Sequence, residues 1–62
     1  DAMTLTQLMD ALTDEEREIV SLHALTGFKH REIAEMMDLA LPTVLSKYHR
    51  ALKKLKSTLQ GG

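Results

Sequence analysis

Cysteine and tryptophan are absent from this 62-residue chain, which has one proline, one phenylalanine and one tyrosine. Without cysteine there is no disulfide and no thiolate metal site, so stability must come from helix packing alone. A chain this short buries only about 60% of its unfolded surface, so its core is small. No apolar run approaches the roughly 20 residues of a membrane span, and no stretch has the layout of a signal peptide. The chain opens on Asp1 rather than Met and closes on Gly61-Gly62. It reads as a single domain over residues 1–62, a piece of a longer protein with 61–62 as a tail.

Acidic residues are missing from the whole second part of the chain. Residues 1–38 hold nine acids and three bases (Arg17, Lys29, Arg31), a balance of −6, whereas residues 39–62 hold five bases and no acid, +5. The net charge of −1 therefore conceals a strong asymmetry. A uniformly basic chain suits indiscriminate binding to nucleic acid. Positive charge confined to one element suits an oriented contact.

That element is residues 41–59. Leu41, Val44, Tyr48, Leu52, Leu55 and Leu59 recur at the spacing of one helical face. Thr43, Ser46, Lys47, His49, Arg50, Lys53, Lys54 and Lys56 occupy the other faces. Pro42 suits a first helical turn, and Leu41 before it is pushed out of the α region, so the helix is expected over about residues 42–59. Upstream, Thr4 and Gln7 fit a capping box, and Leu5, Leu8, Met9 and Leu12 form a stripe for a first helix over about residues 5–11. Thr13 with Glu16 forms a stronger box. It opens a second helix carrying Arg17, Ile19, Val20, Leu22, His23 and Leu25 and ending at Gly27, which takes the left-handed conformation cheaply. A third helix spans about His30–Met37, with Ile33, Ala34 and Met37 facing inward and Leu39 pinning the turn that follows. Lys29 stands at its cap position without a side-chain acceptor. Phe28 plugs the core beside the turn.

The fold class is therefore all-α: a compact four-helix domain with a long C-terminal helix. Residues 30–50 meet the requirements of a helix-turn-helix. Ala34 is small enough for a close crossing, Leu39 sits in the turn, and Val44 and Tyr48 look inward, so that the second helix protrudes toward a major groove.

Several enzymatic and metal readings fail. Helix-start chemistry accounts for the acids Asp14, Glu15, Glu16 and Glu18, because they lie where the helix dipole favours negative charge. Ser46 lies within reach of His49, but no oriented base or oxyanion site accompanies them, so no catalytic residue is assigned. The histidines provide no i, i+4 pair on one face, so no zinc site is expected. His23 reads as a surface or half-buried residue.

The run from Leu12 to Leu59 resembles region four of bacterial RNA polymerase sigma factors, in particular the extracytoplasmic-function type. The likeness rests on Leu12-Thr13 with Glu16-Arg17-Glu18, on Gly27, on Glu32-Ile33-Ala34-Glu35, and on Thr43-Val44 followed by Ser46-Lys47 and His49-Arg50-Ala51. The resemblance implies a domain that reads the promoter minus-thirty-five element in duplex DNA and contacts the β flap of RNA polymerase. It also implies a possible anti-sigma partner and a place in the bacterial cytoplasm, at the nucleoid. Groove-facing positions fall on Thr43, Leu45, Ser46, Lys47, His49 and Arg50, and phosphate-facing positions on Lys29, His30 and Arg31. Arg50 and Lys47 suit guanine edges or phosphates, and Ser46 and Thr43 suit either. Lys53 is counted with this set, and Lys54 and Lys56 with the solvated face. Leu45, Pro42, Asp38 and Ala40 depart from the family pattern, which favours Lys or Arg, a small residue, Gly, and Ser or Thr at those places. No cofactor, metal or membrane is expected, and a monomer is. Two alternatives stand: a protein-interaction module of the same fold docking polymerase or an anti-sigma factor through Leu45 and Met36, and a LuxR-type helix-turn-helix regulator.

Overall fold

The computed structural model describes residues 5–60, with side chains described from Thr6 to Leu59. Four helices follow in order: α1 (Leu5–Met9), α2 (Asp14–Val20), α3 (His30–Met37) and α4 (Leu41–Gln60). The all-α expectation holds. Thr4, the expected cap of α1, lies outside the described residues.

Helix α2 starts as its sequence dictates. Thr13 is extended, its Oγ1 accepts from the Glu16 amide at 3.2 Å, and Glu16 Oε1 accepts from the Thr13 amide at 2.9 Å. The far end differs from the expected plain α-helix, because Ser21–Leu25 widens into a π-helical turn. The closing bonds run from Gly27 N–H to the His23 carbonyl and from Phe28 N–H to the Leu22 carbonyl. Gly27 at φ +83° makes the reversal in a region that strains other residues. Leu25, at the end of this turn, stands 72% exposed.

Between α3 and α4 the chain turns at Asp38, which itself adopts the left-handed conformation (φ 56°, ψ 46°). Aspartate tolerates this better than most side chains, so the turn forms without glycine. The Leu39 amide donates to the Ala34 carbonyl at 2.9 Å, closing α3. Helix α4 begins at Leu41, one residue earlier than expected, because the Val44 amide reaches the Ala40 carbonyl at 3.1 Å. Pro42 then falls where the amide has no helical partner to lose.

Helix α4 packs against α1, α2 and α3. Its 20 residues make a rod of about 30 Å, most of the molecule's 38 Å long axis. Two apolar clusters flank it. One holds Ile19, Ile33, Ala34 and Val44 with Leu22, Phe28, Met37 and Leu39 against them; the other holds Leu12, Val20 and Ala51 with Met9 and Leu55. Tyr48 packs on both and joins them. The inward row of α4 is thus Val44, Tyr48, Ala51 and Leu55. Ala51 is fully buried while Leu52, expected in that row, is 41% exposed. A methyl side chain lets α2 approach closely, which an isobutyl group would prevent.

One buried charge ties these elements together. Glu16 is only 2% exposed, and the Oε1 that caps α2 also accepts from Lys54 Nζ of α4 at 2.7 Å. The Lys54 hydrogen bond is the main force holding the Glu16 carboxyl below the usual glutamate range, helped by the Thr13 amide and opposed by burial. Glu16→Gln keeps the shape and removes the charge. It should lower stability by about 1–3 kcal/mol in urea denaturation, at the lower end because Lys54 is partly solvated. Wild-type stability in that variant would show that the bridge carries none of the load.

Candidate nucleic-acid interface

The exposed side of α4 carries Ser46, His49, Arg50 and Lys53, all open to solvent, with Thr43 and Leu45 half-buried beside them. Ser46, Arg50, Lys53 and Ser57 recur at i, i+4, i+7 and i+11, which places them in one row along the rod. Arg50 and Lys53 line a shallow open cleft with Lys54, Ser57, Thr58 and Ala11. No ion pair engages Arg50, Lys53 or Lys56 among the described residues.

The neighbouring row is different. Lys47 Nζ lies 2.8 Å from Glu15 Oε1, and its side chain is only 25% exposed. With Lys54 held by Glu16, two of the five cations on α4 are paired to the first turn of α2. Lys47 was expected to project freely with Arg50, and Lys54 to be solvated; both are instead drawn to α2. Glu15 and Glu16, explained in the sequence by helix-start chemistry alone, also reach across to α4. The segregation of acids and bases along the chain was the available signal that the two halves would pair.

At the start of α3, Lys29 and Arg31 are exposed on either side of the half-buried His30. The Lys29 amide donates to Glu32 Oε1 at 2.8 Å, so a residue without a capping side chain is served from the third helical position. His30, expected toward phosphate, turns inward. Its ring stacks on His23 at 4.2 Å and tilts against Tyr48 at 4.5 Å, while Tyr48 meets His23 edge-on at 5.0 Å. His23 Nδ1 lies 2.9 Å from the Phe28 carbonyl. A carbonyl only accepts, so His23 carries a proton on that nitrogen and donates it. His30 Nδ1 is buried without a hydrogen-bond partner. Among the described residues no three histidine or acidic side chains converge as metal ligands do, and no helix is long and apolar enough to cross a membrane.

Burial, and then the charges of His23 and His49, hold the His30 pKa below the usual 6.5. The unfolded chain therefore takes up a proton that the folded one refuses. Stability is full above pH 6.5 and is lost as pH falls through the lower folded value. The melting temperature should drop on acidification from about pH 7.5 to about 5. His30→Phe, which stacks but does not titrate, should flatten that drop; superimposable profiles for the two proteins would contradict this.

The arrangement is a helix-turn-helix whose second helix displays hydroxyl and cationic groups in an acid-free row. This is the equipment of duplex contact, with donors for base edges and charge for phosphate. The model of the family described as "Sigma-70, region 4" matches residues 2–55, which is most of the chain. That family comprises DNA-binding transcription domains rather than enzymes, and the match sets aside the LuxR-type alternative. The chain belongs to the sigma-70 region 4 family.

Proposed function

We propose that this domain reads the minus-thirty-five element of bacterial promoters as part of a sigma factor, with α4 in the major groove. The observation that carries the reading is the exposed row Ser46, Arg50 and Lys53 on a helix without acids. Arg50 takes a guanine edge, with Ser46, Thr43 and His49 completing the base and sugar-phosphate contacts. Lys29 and Arg31 hold phosphates from the start of α3, and Lys53 extends the backbone contact along α4. Leu45 offers its methyl groups to thymine. The domain acts as a monomer in the bacterial cytoplasm, at the nucleoid.

A second surface supports the polymerase contact. Leu8, Met9, Leu25, Leu55 and Leu59, from α1, the π turn and the end of α4, line an entirely apolar groove away from the row. The β flap of RNA polymerase fits there as an apolar partner, and an anti-sigma factor would compete for it. Tethering by that contact compensates for a modest intrinsic affinity for DNA.

Labelled promoter and random duplexes titrated at several salt concentrations test the reading. It predicts a preference for promoter sequence and a logarithmic salt slope of roughly −0.9 per phosphate contacted. Arg50→Ala should cost about 1–3 kcal/mol at the base it reads. Equal, salt-independent affinity for every duplex, alongside tight binding of a β-flap fragment, would make this an interaction module only.

A further inference from the structure

Glu15 is superfluous where it stands, if helix initiation is its task. The capping box of α2 is complete with Thr13 and Glu16, and Asp14 and Glu16 already place negative charge at the positive end of the dipole. Glu15 instead reaches across to α4, where its Oε1 meets Lys47 Nζ at 2.8 Å with half of its own side chain in solvent. A partly exposed ion pair of this kind contributes little to stability. Its effect falls on Lys47, which lies beside Ser46 and one helical turn from Arg50.

A carboxylate oxygen at 2.8 Å occupies the place a phosphate oxygen takes on an ammonium, with the same sign of charge and the same hydrogen-bond length. We propose that Glu15 is a built-in phosphate stand-in that competes with the DNA backbone for Lys47. The inference rests on the duplex-binding reading above. To engage a phosphate, Lys47 must leave Glu15, and the released carboxylate then faces the polyanion. The penalty falls on every duplex alike, since phosphates carry no sequence. The domain is therefore held back from sequence-independent binding, and the base contacts of Arg50 and Ser46 weigh more in where it settles.

The test is fluorescence anisotropy of labelled promoter and random duplexes at several salt concentrations. The proteins compared are wild type, Glu15→Gln, Lys47→Ala, the double variant and Asp14→Asn. Asp14→Asn makes the same change in net charge at a fully exposed carboxylate that lies 3.8 Å from Arg17 and is not paired to Lys47. Glu15→Gln should bind both duplexes about 3–10-fold tighter at ~0.1 M salt, with the slope steeper by roughly 0.9. Lys47→Ala, which frees the Glu15 carboxylate without a cation beside it, should weaken binding to both duplexes alike, and should abolish the gain when added to Glu15→Gln. Asp14→Asn should leave the slope unchanged. Wild-type-like affinity and slope in Glu15→Gln overturn the inference alone, as does a gain that survives Lys47→Ala or is matched by Asp14→Asn. Absence of duplex binding by all five proteins overturns the promoter reading and this inference with it.

Discussion

Everything in this domain depends on where one carboxylate sits. A single oxygen of Glu16 closes the N-terminus of α2 and anchors Lys54 of α4, a residue 38 positions further along the chain. A carboxylate removed from water needs hydrogen-bond donors, and here an amide and an ammonium both donate to Oε1. The bridge sets α4 across α2 at a fixed rotation. That rotation turns Val44, Tyr48, Ala51 and Leu55 inward and leaves Ser46, Arg50 and Lys53 facing out. In a domain with so little buried apolar surface, such a polar anchor decides between rotations that the hydrophobic contacts alone would distinguish weakly.

The charge segregation along the chain takes on a second meaning in this light. The acidic half does not merely offset the basic helix in the net charge. It meets that helix at two points, Glu15 on Lys47 and Glu16 on Lys54, of which one is partly solvated and one buried. The field that remains is narrower than composition implies and is centred on Arg50 and Lys53. A narrow positive row suits a module that is delivered to DNA by a larger assembly better than one that searches for its site alone.

The helices were legible wherever local chemistry decided them. Thr13 and Glu16 announced the start of α2, Gly27 announced its reversal, and the Ile33-Ala34 pair located α3 with its limits intact. Features governed by contacts between distant segments were not legible. Apolar spacing could not choose between Ala51 and the adjacent Leu52, because the choice follows from the closeness of α2. The π turn is likewise absent from any local pattern. His30 follows a lysine at a helix start and so resembles a phosphate ligand, yet the aromatic faces of His23 and Tyr48 draw it inward. For the interface, the residue types were readable, but which lysines would be spoken for was not. A lysine in a sequence has no partner until the fold supplies one.

The most direct test of this account is a carbon-detected NMR titration of the Glu16 carboxyl group, following the Thr13 amide and the Lys54 side chain in the same samples. The account predicts a midpoint below the ordinary glutamate range. It also predicts that the Thr13 and Lys54 signals shift with that same midpoint, as one proton breaks both contacts. An ordinary midpoint, or a Lys54 signal indifferent to the protonation of Glu16, would contradict the claim that this carboxylate sets the position of α4.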